Sequence, residues 1–198
     1  DEAKAPQIAG KQEFVNKGKE AQRKSVVLLK NENILPLKSG TKVYAHNWFA
    51  PEVINNFGTL VDNPDEADVI VVRVSTPFDP RSEFLLERFF HQGRLYFNEE
   101  ELAGILPLLN KKPSIVITNL ERPAILTEMD EVASAMIGEF GTSEDILSEI
   151  LFGKINPSGK LPFELPSSWE AVQNQFEDVP YDSQDPLYQF GHGLTYEK

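Results

Sequence analysis

The run Asp68-Val69-Ile70-Val71-Val72-Arg73-Val74 is rich in β-branched residues and too short for a buried helix, so it predicts a strand covered on both faces of a parallel sheet. Ser114-Ile115-Val116-Ile117-Thr118 repeats the pattern. Lys42 to Ala45, Phe57 to Val61 and Val132 to Ile137 read as shorter strands, the last ending at Gly138. Helical patterns lie between them. Gln12 to Lys30 is rich in helix formers, with Phe14, Ala21, Val26, Leu28 and Leu29 making a helix that becomes more buried toward its end. Asn98 stands at an N-cap before Glu99 to Glu101, which face the positive end of a helix running to Leu109. Gly141-Thr142-Ser143 caps a helix from Glu144 to Phe152, with Ile146, Leu147, Ile150 and Leu151 as its apolar stripe and Gly153 as its stop. Pro51 to Asn56 predicts a short helix opened by proline, and Asn63-Pro64-Asp65 a turn. Glu121 to Glu131 fits either a helix or an irregular crossover. This alternation predicts an α/β fold, a three-layer α/β/α sandwich on a mainly parallel sheet.

Two stretches depart from that rhythm. Residues 1–11 are polar and small and read as a linker or N-terminal arm, leaving 12–198 as the domain. Residues 155–198 are punctuated by Pro157, Pro162, Pro166 and Pro180 and read as an extended tail packed on the core. Between Val74 and Asn98 lies a connection far longer than an ordinary strand-to-helix loop. It carries Asp79, Glu83 and Glu87, then Arg81, Arg88 and Arg94, then Phe78, Phe84, Phe89, Phe90, Tyr96 and Phe97. Long loops in compact domains are functional or disordered, and this one leaves the carboxyl end of a buried strand, where open α/β sheets place ligands. Acids beside flat apolar rings suit a sugar.

Composition narrows the choices. A formal charge of -12 repels polyphosphate and anionic membrane surfaces, so neither nucleic acid nor a membrane is an expected partner. There is no cysteine, and His46, His91 and His192 are isolated, so no metal site and no cofactor is expected. No stretch approaches the ~20 apolar residues of a membrane span, and Asp1-Glu2-Ala3-Lys4 is unlike a signal peptide, so the chain begins like an excised or processed segment.

Lys154-Ile155-Asn156-Pro157-Ser158-Gly159-Lys160-Leu161-Pro162, followed by Gln189-Phe190-Gly191-His192-Gly193-Leu194-Thr195-Tyr196, resembles the carboxy-terminal domain of glycoside hydrolase family 3. Ser25 to Asn31 before Leu35-Pro36-Leu37, the strand Ala67 to Val72, and Glu149-Ile150-Leu151-Phe152-Gly153 extend the resemblance over nearly the whole chain. It implies a sandwich of about six strands that follows a barrel domain and borders the active site of a retaining, exo-acting β-glycosidase, a β-glucosidase foremost. It further implies that the nucleophilic aspartate lies in the barrel, that an acid/base carboxyl often comes from the long loop, and that the substrate is an oligosaccharide or β-glycoside. The isolated domain is then expected to be inactive, and a periplasmic or extracellular location is favoured over the cytoplasm. The alternative is a non-catalytic carbohydrate-binding or assembly module.

In such enzymes the acid sits near Glu-Gly-x-Asp-Arg or Pro-Tyr-x-Glu. Pro77-Phe78-Asp79-Pro80-Arg81 resembles the second pattern with Asp79 displaced by one position, and Glu83 ahead of Glu87-Arg88 resembles the first. Asp79 and Glu83 are therefore the candidate catalytic residues, against the plainer reading of loop carboxylates paired with Arg81 or Arg88. Phe78, Phe89 and Phe90 are candidates for a ring platform, Arg81 and His91 for hydroxyl contacts; Phe84 and Phe97 read as loop packing. Gly138-Glu139-Phe140-Gly141 lacks the lysine and spacing of a phosphate loop. Glu121-Arg122-Pro123 reads as structural, and His192 as a tail lock bonded to backbone.

Overall fold

The computed structural model describes residues 5–196, apart from the side chains of Pro6, Gln7 and Arg88, so the expected arm is described only from Ala5 and the Arg88 pairing lies outside the described residues. In chain order the elements are α1 (Ala5–Ile8), α2 (Gln12–Ser25), β1 (Val27–Asn31), β2 (Lys42–His46), β3 (Thr59–Leu60), β4 (Val69–Ser75), α3 (Glu99–Leu109), β5 (Ser114–Asn119), α4 (Thr127–Asp130), β6 (Ala135–Glu139), α5 (Glu144–Leu151) and α6 (Trp169–Gln173). Short 3-10 turns at Pro51–Asn56, Pro64–Glu66 and Glu87–Phe89 fill connections.

The six strands form one sheet in the order β1-β6-β5-β4-β2-β3, parallel throughout except for the antiparallel pairing of β1 with β6. Successive side chains point to opposite faces. Val69 and Val71 therefore join Ile115, Ile117 and α5 on one side, whereas Ile70 and Val72 join Val116, Met136 and α3 on the other. Both faces are thus covered by elements of this chain, which closes its own core, and the three-layer reading holds.

One expected element is wrong. The helix from Gln12 stops at Ser25, and Val26 to Asn31 turns extended to become the edge strand β1. A four-residue apolar run suits either structure, and here burial decides: Val26, Val27, Leu28 and Leu29 are each at most 1 % exposed, whereas α2 buries no residue. The Phe57–Val61 strand shrinks to Thr59–Leu60, Val132–Ile137 shifts to Ala135–Glu139, and the crossover after β5 contains only the single turn α4. The cap of α3 is as expected, a capping box in which Asn98 accepts from the Glu101 N–H and Glu101 accepts from the Asn98 N–H.

The tail seals the open edge of β1. Gly159 N–H donates to Val26 O (3.0 Å), Leu194 N–H to Leu28 O (2.7 Å), and His192 Nε2 bonds Leu29 O (2.7 Å), which is the backbone lock expected of that histidine. Such coverage removes a sticky strand edge. Tyr196 is buried, its hydroxyl donating to Ile150 O at 2.7 Å, and burial pushes its phenol well above the usual range. Tail and strand approach so closely that a methyl group on Gly159 meets Val26 O at 2.5 Å. Gly159→Ala is therefore expected to lower unfolding free energy by about 1–3 kcal/mol, the cost of overpacking, in urea denaturation; an unchanged midpoint would show that the tail is not seated on β1.

Candidate functional site

After β2 the chain moves outward to β3, whereas after β4 it moves the other way to β5. The turn after β2 places Ile54 on one face and the helix after β4 places Ile105 and Leu109 on the other. The two connections part at the carboxyl ends of β2 and β4 and leave a crevice there, the position at which such sheets bind ligands.

A charged cluster fixes the rim of this crevice. Arg73 of β4 donates to Glu139 at the end of β6 (2.8 Å), to Glu144 in the first turn of α5 (3.0 Å) and to Thr142 O (3.3 Å). Glu144 also accepts the backbone N–H groups of Phe49 and Ala50 at 2.8 and 2.5 Å, and Glu139 accepts that of Thr142 at 2.6 Å. Glu139 is fully buried and Glu144 nearly so. Buried carboxylates need this degree of pairing to offset their lost hydration. Phe49, held by its backbone, leaves its ring wholly in solvent. The turn Gly138 to Ser143 is thereby occupied by its own glutamate, in keeping with its lack of a phosphate-loop pattern.

The long loop from 76 to 97 has an ordered neck and an exposed tip. At the neck, buried Thr76 donates its hydroxyl toward Asn119 O and Arg122 O at 3.1 and 2.8 Å. The Asp79 N–H donates to Gln92 O at 2.8 Å, tying the outgoing strand of the loop to the returning one. Asp79 Oδ2 accepts the Arg94 N–H at 2.9 Å, and Oδ1 faces Arg94 Nε at 3.3 Å. Gly93 lies against this carboxylate with φ at 76°, where a side chain would collide with it. Arg122 closes the neck by donating to Gly93 O (3.3 Å), Arg94 O (3.0 Å) and Pro77 O.

Of the candidate residues, Asp79, Phe78 and His91 come together in this neck. Phe78 stacks on His91 with ring centroids 3.8 Å apart and planes 12° from parallel, so one face of the expected platform is already covered. His91 Nδ1 pairs with Glu121. Asp79 pairs with Arg94, not with Arg81, because the strand-like neck brings Arg94 alongside while Arg81 continues outward into the exposed part of the loop. Glu83, Arg81 and Phe89 lie on that exposed part, and among the described residues none of their side chains forms a hydrogen bond or an ion pair. Phe97 packs on the α3 side of the core as expected, but Phe84 does not pack: it is 69 % exposed, in company with Leu85, Leu86, Phe89 and Phe90.

Several positioning residues have no local signal. Arg94 reaches Glu101 through both terminal nitrogens at 2.6 and 2.9 Å, which joins the neck to the start of α3. This bond holds the Glu101 carboxyl below the usual carboxylate range and pushes the Arg94 guanidinium up. Glu121 and Arg122, which read as structural, clamp the loop. Arg73 had a signal, a lone charge inside an apolar strand.

The chain matches the family described as Glycosyl hydrolase family 3 C-terminal domain over residues 52–196. It is 39% identical over 197 residues to Beta-glucosidase C of Emericella nidulans, covering 98% of this chain and 32% of that protein. It is 38% identical to a Periplasmic beta-glucosidase/beta-xylosidase of Dickeya chrysanthemi, covering 97% and 30%. Its fold superposes on beta-glucosidase 3B from Thermotoga neapolitana, solved in complex with glucose, with a TM-score of 0.73 over 94% of this chain and 39% of that one, at 17% identity. The chain therefore spans about a third of the length of the curated relatives it matches.

Two tests follow from the geometry. Arg73→Met leaves two buried carboxylates without their cation and is expected to cost about 3–5 kcal/mol in urea denaturation; a loss below 1 kcal/mol, roughly the worth of a surface pair, would contradict the burial. Because Glu101 is held low, its stabilisation is complete above its unfolded value of about 4.3 and is lost as pH falls through the folded value. Glu101→Gln should therefore be less stable than the parent at neutral pH, with the gap narrowing as the pH drops below about 4.3; a gap independent of pH would remove the ion pair from the account.

Proposed function

Since the chain belongs to glycosyl hydrolase family 3, as its C-terminal domain, we propose that it borders the active site of a retaining, exo-acting β-glucosidase and supplies the general acid/base from its long loop. The attacking carboxylate belongs to a barrel domain outside this chain. The observation that carries this reading is the neck, which holds one half-exposed carboxylate, Asp79, in a fixed position at the carboxyl edge of the sheet.

Retaining hydrolysis needs two carboxyls about 5–5.5 Å apart, one attacking the sugar carbon and one protonating the departing oxygen. Misplacing a catalytic group by about 1 Å is costly, so a positioned carboxyl is worth more than a loose one. Gln92 O, the Arg94 N–H and the wall of Gly93 give Asp79 that position, whereas Glu83 has no such support among the described residues. Oδ2 is engaged by the Arg94 N–H at 2.9 Å, leaving Oδ1, with its longer contact, as the oxygen that gives a proton to the leaving group and later takes one from water. Phe78 and His91 form a stacked wall beside it.

The exposed tip supports the larger assembly. Phe84, Leu85, Leu86, Phe89 and Phe90 are each 65% or more exposed, an apolar group of the sort that marks a contact surface. We assign its cover to the barrel domain, with Phe89 and Arg81 carried toward a β-glycoside or oligosaccharide substrate. The name of the Dickeya relative supports a periplasmic or extracellular parent enzyme.

In the complete enzyme, Asp79→Asn is expected to slow hydrolysis of glycosides with poor leaving groups by about 100- to 10,000-fold, the usual worth of a general acid. Activated aryl glycosides should lose far less in bond cleavage, and azide, which needs no general base, should restore turnover. The same pattern in Glu83→Gln and not in Asp79→Asn would move the acid to Glu83; its absence from both would leave the domain as a wall without a catalytic group. The 198-residue chain alone should leave chromogenic β-glucosides intact.

A further inference from the structure

Behind the neck, where Leu95 follows Arg94 and Pro123 follows Arg122, the tail encloses a cleft of about 440 Å³. Its walls include Phe163, Phe176 and Tyr181 together with Glu164, Glu177 and Asp182, and among the described residues that line it none is basic. We propose that this cleft is a second carbohydrate-binding site that takes a neutral pyranose residue.

Folding alone does not account for the arrangement. Phe176 is 71 % and Tyr181 55 % exposed, so neither ring is retained for core packing. Tyr181 also sits at φ 60°, a conformation that is an outlier for a bulky residue and costs on the order of 1–3 kcal/mol. The segment is nevertheless held open around it. Asp182 Oδ2 accepts the Phe176 N–H at 2.9 Å, Glu164 Oε2 accepts the Ser183 N–H at 3.1 Å, and Phe190 supports the Tyr181 ring at a centroid distance of 4.3 Å. A strained, exposed aromatic whose ring rests on Phe190, in a segment tied down by two carboxylates, has the arrangement of a ligand clamp.

The lining chooses the ligand class. Three carboxylates without a cation repel phosphates and other anions. Exposed rings offer faces to the C–H side of a pyranose, and carboxylate oxygens accept its hydroxyl protons. The volume falls within the range of small-molecule sites. The choice of a sugar rests on the glycosidase reading, whereas the site itself does not require Asp79 to be the acid.

The test is titration of the ¹⁵N-labelled 198-residue chain with cellobiose, followed by amide chemical shifts. Saturable shifts at Phe163, Phe176, Glu177 and Tyr181 to Ser183 are expected, with a Kd on the order of millimolar. Tyr181→Gly keeps the backbone conformation, which glycine adopts freely, and removes the ring; it should fold and weaken cellobiose about tenfold, the worth of one aromatic contact. The reporting amides belong to the tail and not to the neck that holds Asp79, so a failed acid assignment leaves this result standing. Absence of shifts, undiminished binding by Tyr181→Gly, or shifts of these amides by tetramethylammonium chloride but not by cellobiose would each overturn the proposal.

Discussion

A single guanidinium organises the working edge of this domain. Arg73 rises from the central strand β4 and is met by Glu139 from β6 and Glu144 from α5, and Glu144 in turn holds the backbone of the turn after β2. The connections that follow β2 and β6 are thereby registered to one another and to the central strand. Two nearly buried carboxylates against one cation form an arrangement that only dense hydrogen bonding makes tolerable, here with the N–H groups of Phe49, Ala50 and Thr142 and the carbonyl of Thr142. The crevice at the switch point inherits its shape from this cluster, and Phe49 its exposure.

A second guanidinium pair extends that order outward into the long loop. Arg94 and Arg122 have no role in the sheet; they hold carbonyls and carboxylates of the neck, so that the loop leaves the domain as a rigid stem before reaching its apolar tip. The division has a functional logic. Under the proposed function, stem geometry is set within this chain, where an acid/base carboxyl would need it, while the exposed tip is the part assigned to contact the barrel domain. Stability and assembly are thus assigned to different parts of one connection.

Much of this was legible in the residues. The strands around Val71 and Ile117 announced themselves by β-branched runs, α3 by Asn98 and Glu101, and the tail by its two motifs. Val26 to Leu29 departs from the helical expectation because a short apolar run at the end of a helical pattern carries no information on whether the chain continues to coil; only the availability of β6 as a partner settles it. In the loop, Asp79 and the rings near it could be picked out by type, but Arg94 as the partner of Asp79 depends on the fold of the neck, and Phe84 was placed in a core that the loop tip does not reach. Contacts between residues 28 or more apart, such as those of Arg122 with the neck, leave no local trace.

The central claim is that the neck presents a proton-donating carboxyl to a site completed by another domain. Its most direct test is a crystal structure of the complete enzyme with an intact, slowly cleaved β-glycoside bound. The account predicts an Asp79 carboxyl oxygen within hydrogen-bond reach of the glycosidic oxygen and about 5–5.5 Å from the attacking carboxylate across the sugar. A bound glycoside with some other carboxyl at the departing oxygen, and Asp79 out of its reach, would contradict it.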